Sequence, residues 1–461
     1  MTIEVHSFVR PARAPRTGEA QCFARSAAML AEAVARHAPG PIPYALGLLP
    51  AGGVPHYFTR AKGARLEDVD GNRLIDLHAG SGAVLLGHAA PEVTAAVGRI
   101  LRGGLVGVPT HLEGAVAKRL LSLRSWAESV RFAKTGSEAV GQAVRLARAH
   151  TGRELVAVAG YHGWHDAVIA GVPGQRGVPK ALRRLCHCFN AADPESLARL
   201  MGQHLQQFAA VILEPARPWP PEKQALEAIR KITREHSALL IYDEITSGLR
   251  SPSIETLGAE PPDMTILGKA IGNGFPLAAV LGAREVVGAA GPSLLSVSAA
   301  THDAASLAAT EATLDTMAQP KFREGLARSD AELRNQIAQS IQRFGLTDQI
   351  SVGGHPGLVT LEPRRALRVS MNSLRLLLVQ ELLRRGIYCL GPMFPSRQHG
   401  GPVLARVTRA LDQVAGIISA AVASGHLDQM LHLAESERTV LRRVSGGLRF
   451  ANGADRQATG Q

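Results

Sequence analysis

Short apolar runs alternate with helical segments along the middle of the chain, and this order constrains the fold more than any other feature. The runs are rich in Val, Ile and Leu, which is typical of strands buried on both faces. Such strands, alternating with helices, favour an α/β fold with a mostly parallel central sheet and helices on both faces. The predicted strands are 130–133, 154–159, 209–214, 238–244, 264–267 and 277–282. The predicted helices between them are 137–150, 195–207 and 222–236.

The flanking segments predict a second, smaller α+β domain formed by the N- and C-terminal parts of the chain. Residues 55–77 alternate and turn at Asp70-Gly71-Asn72, a strong hairpin signal. Further helices are predicted at 20–38, 303–317, 320–344, 371–386 and 410–433, with short strands near 349–361. We therefore expect a disordered leader at 1–19, an N-terminal small-domain segment at 20–95, a large domain at 96–318, a C-terminal small-domain segment at 319–434 and a flexible tail at 435–461.

Charge and cysteine content argue against several classes of protein. The 461 residues carry 51 Lys and Arg against 39 Asp and Glu, a net charge of +12. The cations are scattered and only 4% of residues are aromatic, so we expect no nucleic-acid partner. Four cysteines are too few for a disulfide framework, and no apolar run reaches the ~20 residues of a membrane span. We expect a cytoplasmic protein without a membrane partner.

The triplet Cys186-His187-Cys188 could suggest a metal site. No further cluster of ligands lies nearby in the sequence, so we interpret the triplet as a strand-like surface segment and predict no metal site.

Because ligands bind at the carboxyl ends of strands in open α/β sheets, we expect the ligand-binding and catalytic residues at those ends. TGSEA (135–139) follows one predicted strand and opens a helix. Gly136 allows close approach of the backbone, Ser137 offers a hydroxyl, and the helix start presents free N–H groups, which together suit a phosphate. A plain helix cap is the alternative interpretation.

Asp243 ends the apolar strand ALLIYDE, so its carboxylate is expected to be partly buried and to need a partner. A protonated heterocyclic nitrogen, a metal ion or an arginine would serve, and so would the local backbone. Ile245 lies two residues further on and faces the same side while the strand continues. The carboxylate of Asp243 could bind the edge of a flat ring while the side chain of Ile245 packs against its plane.

Lys269, in LGKAIGNGF (267–275), follows another predicted strand and is flanked by glycines. A desolvated lysine has a lowered pKa and can act as a nucleophile or a general base. A phosphate site, a strand-end aspartate and such a lysine, in this order, match the requirements of pyridoxal phosphate (PLP). Tyr161 and His162, in GYHGWHD (160–166), are candidates to cover the other face of its ring.

From about residue 50 to about residue 425, the sequence resembles the class III (fold type I) PLP-dependent aminotransferases, especially those like glutamate-1-semialdehyde aminomutase. The motifs that carry the resemblance are GARLEDVDGNRLIDL (63–77), LLGH (85–88), VRFAKTGSEA (130–139), RLARAHTGR (145–153), GYHGWHD, ILEP (212–215), LLIYDEITSGLR (239–250) and PPDMTILGKAIGNGFPLAAVLG (261–282).

The resemblance implies that the large domain binds PLP and that the protein is a homodimer with active sites at the interface. It implies that Lys269 forms the Schiff base and that Asp243 pairs with the pyridine nitrogen. The remaining implied cofactor contacts are Gly136 and Ser137 at the phosphate, Tyr161 on the ring, Glu214 near the ring and Thr301 at the phosphate across the interface.

Three positions depart from the family's pattern. Lys134-Thr135 stands where the family usually has Asn-Ser, and 216–219 (ARPW) replaces a glycine-rich stretch. Ala304-Ala305-Ser306 stands where Gly-Asn-Pro is usual. Since none of these changes touches Asp243 or Lys269, they bear on the substrate and on Thr301 rather than on the cofactor.

We therefore predict a PLP-dependent aminotransferase that moves an amino group between an amine or amino acid and a carbonyl acceptor. An aminomutase, which shifts the amino group within one substrate, is the alternative, because both reactions need the same residues around the cofactor. A decarboxylase or racemase of the same fold and a basic nucleic-acid-binding protein that has lost catalysis are further alternatives.

Overall fold

Three sheets organise the described part of the protein, which we present from a computed structural model. The described residues are 25, 28, 29, 55, 57–105, 107–172, 175–216, 221–250, 260–288, 294, 299–364 and 369–431. Their strands are β1 (Phe58–Lys62), β2 (Arg65–Asp68), β3 (Arg73–Asp76), β4 (Ser129–Ala133), β5 (Leu155–Ala159), β6 (Cys186–Cys188), β7 (Phe208–Leu213), β8 (Leu239–Asp243), β9 (Met264–Leu267), β10 (Ala278–Gly282), β11 (Ile350–His355), β12 (Leu358–Pro363) and β13 (Ile387–Tyr388).

Nine longer helices cover these sheets within the described residues. They are α1 (Pro91–Arg102), α2 (Leu112–Ser122), α3 (Gly136–Thr151), α4 (Pro194–Gln203), α5 (Lys223–Glu235), α6 (Ala304–Met317), α7 (Pro320–Arg343), α8 (Met371–Arg384) and α9 (Pro402–Ser424). Among the shorter helical turns are Asp166–Ile169, Lys180–Arg183, Lys269–Gly272, Arg284–Gly288, Ala299–His302 and Leu427–Met430. The start predicted for the last long helix, residue 410, is wrong, because Pro402 at the first helical position begins α9 earlier.

The central sheet has the strand order β4-β10-β9-β8-β7-β5-β6. Strand β10 is antiparallel to both of its neighbours, and all other neighbouring pairs are parallel. The predicted α/β fold with a mostly parallel central sheet is therefore confirmed. The carboxyl ends of β4, β5, β7, β8 and β9 lie at one edge of this sheet, and each is followed directly by one of the motifs found in the sequence.

The smaller sheet joins the two ends of the described chain. The hairpin strands β2 and β3 pair in antiparallel fashion, and β3 also pairs in parallel with β13, where Ile75 lies opposite Ile387. Leu74 and Ile75 share an apolar core with side chains of α7, α8 and α9. This is the predicted α+β unit of N- and C-terminal segments, whereas the domain boundaries given above stay predictions.

The leader predicted at 1–19 and the tail predicted at 435–461 lie outside the described residues, as does most of the helix predicted at 20–38. No helix in the described part of the chain is long and apolar enough to cross a membrane.

A buried ion pair fixes the end of β8. Nη2 of Arg124, which follows α2, donates to Oε2 of Glu244 at 2.5 Å, and only 3% and 4% of these two side chains are exposed. The other carboxylate oxygen of Glu244 accepts from Oγ1 of Thr265 on β9 at 2.8 Å. Glu244, the residue next to Asp243, is thereby bonded to two neighbouring elements.

We predict that Arg124→Met lowers the free energy of unfolding by about 3–5 kcal/mol, because Glu244 would remain buried without its counter-charge. The double variant Arg124→Met/Glu244→Leu should recover most of this loss, since it removes both charges. Urea unfolding followed by circular dichroism measures both values. A single variant as stable as the wild type would contradict the burial of this pair.

Candidate active site

The TGSEA motif forms the junction between β4 and α3. Oγ1 of Thr135 accepts a hydrogen bond from the N–H of Glu138 at 3.2 Å, and the Glu138 carboxylate accepts one from the N–H of Thr135 at 3.0 Å. Gly136 and Ser137 lie between these capping residues, in the first turn, where backbone N–H groups point out of the helix end. The junction is thus a capping box, and it also has the geometry of an anion site.

Ile245 brings this junction together with the other two motifs. A Cβ atom placed on Gly136 would lie 2.7 Å from Cδ1 of Ile245, and one placed on Gly268 would lie 3.2 Å from its Cγ2. A side chain at either position would force Ile245 to shift, by more at Gly136 than at Gly268. Since Gly268 precedes Lys269 and Ile245 follows Asp243 by two residues, all three motifs meet around one isoleucine.

Asp243 ends β8 inside the protein, with 5% of its surface exposed. Its Oδ2 lies 2.9 Å from Nδ1 of His162, and its Oδ1 accepts a hydrogen bond from the N–H of Ile245 at 3.1 Å. Nε2 of His162 lies 3.2 Å from the carbonyl oxygen of Ala159. Because an ionised carboxylate can only accept a hydrogen bond, Nδ1 of His162 is the donor to Asp243. The sequence suggested that His162 covers a ring face, which stays a prediction; in the structure its imidazole contacts Asp243.

Lys269 begins a short helical turn directly after β9. Its Nζ donates to Oγ1 of Thr246 at 3.0 Å, and its φ angle of +45° lies in the left-handed region, which is strained for a lysine. Burial lowers the pKa of Lys269, the carboxylates of Glu214 and Asp243 oppose this shift, and the charge of Arg250 adds to it. A larger fraction of this amine is therefore neutral near pH 7 than for an exposed lysine.

Arg250 is a second buried cation near Lys269. Burial lowers its pKa to about 9. Its Nε and Nη1 donate to the carbonyl oxygens of Gly82 and Pro395, both at 2.8 Å, and its Nη2 donates to that of Val84 at 3.3 Å. These bonds join the large domain to segments from both ends of the chain, so the role of Arg250 is structural.

The segment that Arg250 holds is a left-handed turn. Ala79, Gly80, Ser81 and Gly82 all have positive φ angles, between +48° and +88°. Oδ1 of the buried Asp76 accepts the N–H groups of His78 and Ala79, both at 2.8 Å, at the start of this turn. Such strained segments cluster at functional sites.

His78 places a titratable group beside this turn. Its Nε2 lies 3.0 Å from Oγ of Ser81. Burial lowers the pKa of His78, Asp76 opposes the shift, and the charge of Lys269 adds to it. The sequence interpretation missed His78, Asp76 and Arg250, because their importance depends on contacts between distant segments.

The remaining predicted residues lie on loops. Tyr161 follows β5 with 46% of its surface exposed, and Glu214 directly follows β7. Thr301 lies in the turn Ala299–His302, in front of α6. The structure therefore brings Glu214, Asp243 and Lys269 into electrostatic contact, while the roles of Tyr161 and Thr301 stay predictions.

The cysteine triplet forms the edge strand β6, in agreement with the strand interpretation. The thiols of Cys186 and Cys188 donate to the carbonyl oxygens of Val168 and Gly171. Burial raises the pKa of Cys186 to about 12. Within the described ranges, no group of three His, Cys, Asp or Glu side chains is arranged to hold a metal.

The site offers an anion-binding helix start, a buried carboxylate, an apolar side chain between two glycines and a lysine whose pKa is lowered by burial. These groups fit the phosphate, pyridine nitrogen, ring and aldehyde of PLP in turn. At the carboxyl edge of a mostly parallel sheet, this combination defines a PLP-dependent transferase of fold type I.

The chain belongs to the class-III aminotransferases, whose family model matches residues 50–391. It is 33% identical over 385 residues to glutamate-1-semialdehyde 2,1-aminomutase of Aeropyrum pernix, covering 76% of this chain and 88% of that protein. A transaminase with PLP bound has a TM-score of 0.78 at 27% identity, covering 88% of this chain and 100% of the other. An omega-transaminase from Sphaerobacter thermophilus has a TM-score of 0.78 at 26% identity, covering 86% and 98%. PLP is thus the cofactor, and the protein is an enzyme with transaminase or aminomutase activity.

Proposed function

We propose that the protein is an aminotransferase that moves an amino group between an amine or amino acid and a carbonyl acceptor, with Lys269 as the residue that forms the Schiff base. The observation that carries this proposal is the partly buried Lys269 amine, which donates to Thr246 and interacts electrostatically with Glu214 and Asp243. Bound PLP supplies an electron sink for the bond that is broken at the substrate's Cα.

Each neighbouring residue has a separate task in this proposal. Gly136 and Ser137 bind the phosphate through the start of α3, and Ile245 supports one face of the ring. Asp243, which His162 holds in place, keeps a proton on the pyridine nitrogen. Lys269, in its neutral form, accepts the proton from the substrate's Cα and delivers it to the cofactor carbon.

On the opposite face we propose Tyr161 as the ring contact, and we propose Glu214 as a neighbour of the ring. Both follow strands whose carboxyl ends lie at this edge. The charge of Glu214 opposes the lowering of the pKa of Lys269, which supports its position near the reacting amine.

We further propose a homodimer in which Thr301 of one subunit reaches the phosphate held by the other. Leu101, Leu105, Val108 and Trp164 are large apolar side chains that are exposed in the single chain, which supports their burial against a second copy. A cytoplasmic location is proposed as well, and the free thiols of Cys186, Cys188 and Cys389 support it.

An aminomutase is the second candidate, and the 33% identity with the Aeropyrum enzyme favours it. The experiment that separates the two is steady-state turnover of glutamate-1-semialdehyde and of simple amino donors, with and without an added keto acid. For an aminotransferase we expect turnover only when the keto acid is present. Turnover of glutamate-1-semialdehyde at the same rate without a keto acid would contradict the aminotransferase and establish the aminomutase.

We predict that Lys269→Ala abolishes turnover, with a loss of roughly 10³-fold or more, because the nucleophile and the proton acceptor are both removed. The variant should unfold near the wild-type temperature, because alanine keeps the Cβ atom and the left-handed backbone at this position is therefore as strained as before. The matched control Lys118→Ala, on α2, should retain full activity. Borohydride reduction and peptide mapping of the wild type should label Lys269, and an active Lys269→Ala variant would contradict the assignment.

We predict that Asp243→Asn slows removal of the Cα proton by roughly 10²-fold or more, because a neutral amide does not keep the pyridine nitrogen protonated. Exchange of the amino donor's Cα proton with deuterium, followed by NMR, measures this rate directly. PLP affinity, from titration of the apoprotein, should change much less. Exchange at the wild-type rate would mean that Asp243 serves only the structure of the β8 end.

A further inference from the structure

Lys134, which lies two residues before Gly136, is bonded to a distant part of the chain. Its Nζ donates to Oδ2 of Asp303 at 2.5 Å and to Oγ of Ser306 at 3.0 Å. The Lys134 side chain is 14% exposed and the Asp303 side chain 31%, so the ion pair is partly screened from water. The residue that leads into the predicted phosphate site is thus clamped onto the start of α6.

Asp303 is itself fixed in place. Its Oδ1 accepts the N–H of Ala305 at 3.1 Å and caps α6, and its Oδ2 also accepts from Oγ of Ser306 at 2.8 Å. Burial alone would raise the pKa of Asp303, but the hydrogen bonds from Lys134 and Ser306 outweigh it and lower the pKa. The carboxylate is therefore ionised, and its position is set by the helix rather than by Lys134 alone.

The turn in front of Asp303 has a second anchor. Nδ1 of His302 lies 2.7 Å from Oε1 of Glu113, at the start of α2. Glu113 therefore holds the turn Ala299–His302, and Lys134 holds Asp303, the residue that follows this turn. The main chain of Lys134 takes part as well, since its N–H donates to the Glu138 carboxylate of the α3 capping box at 2.8 Å.

Two departures from the family pattern meet in this cluster. Lys134 stands where Asn is usual, and Ser306 stands where Pro is usual, yet the two side chains are hydrogen-bonded to each other. Two positions that are far apart in the sequence are thus joined by a hydrogen bond between side chains.

We propose that Lys134 is a positioning residue for the cofactor phosphate: through Asp303 it fixes the junction 134–137 against α6. The inference rests on the proposed function, which places the phosphate at Gly136 and Ser137. Because the charge of Lys134 is matched by Asp303, its effect is on the position of the backbone donors rather than on the net charge of the site.

The test is the affinity of the apoprotein for PLP and for pyridoxal, which lacks the phosphate, measured by titration of the visible absorbance. For Lys134→Met we expect the Kd of PLP to rise about tenfold or more, with the Kd of pyridoxal unchanged. Asp303→Asn, which is nearly isosteric, should show the same selective loss, and the double variant should be no worse than either single one. Asp303→Asn also carries the test if Lys134→Met does not fold.

The matched control is Arg230→Met. Arg230 pairs with Asp263 at 2.7 Å with similar side-chain exposure, 11% and 26%, but at the amino end of β9. Its loss should leave the Kd of PLP unchanged. An unchanged Kd of PLP in Lys134→Met, or an equal loss for pyridoxal, overturns this inference while the proposed function stands. A wild-type protein that binds no PLP at all overturns the proposed function, and this inference with it.

Discussion

The contact of Ile245 with the backbones of Gly136 and Gly268 sets the dimensions of the whole site. The carboxyl ends of parallel strands lie at one edge of a sheet, where ligands bind in this architecture. Here a single side chain fills the space between them, and two glycines allow the approach. The phosphate junction, the carboxylate and the lysine consequently share one neighbourhood, and a change in any of the three loops is transmitted to the others.

The same neighbourhood depends on charges that have been taken out of water, each stabilised in its own way. Glu244 has Arg124, Asp243 has His162, and Arg250 has three carbonyl oxygens. Lys269 has carboxylates nearby, but among the described residues its hydrogen-bond partner is a hydroxyl. This difference in partners is chemically useful, because a lysine bonded closely to a carboxylate would stay protonated and could not act as a nucleophile.

The sequence was sufficient for the residues whose signal is local. The strand ending in Asp243, the glycines around Lys269 and the helix start at Gly136 each form a pattern within a few neighbouring residues, and the alternation of strands and helices predicted the sheet that gathers them. Arg250 gave no such signal, because its partners Gly82 and Pro395 are distant along the chain. The contact between His162 and Asp243 gave no local signal either, because only the fold brings these two residues together. Lys134 was recognised as a departure, but its partner Asp303 could be found only from the structure.

The parallel pairing of β3 with β13 has a consequence for the order in which the protein is made. The hairpin of β2 and β3 leaves the ribosome early, but its parallel neighbour Ile387–Tyr388 follows only after the entire central sheet has been synthesised. At roughly 5–20 residues per second, the edge of β3 waits on the order of 15–60 s for its partner. During that time the large sheet can form, whereas the hairpin presents an unpaired edge that chaperones or other nascent chains can bind. Completion of the small domain is therefore a late step, and the left-handed turn that Arg250 clamps to it is expected to be among the last parts of the active site to become ordered.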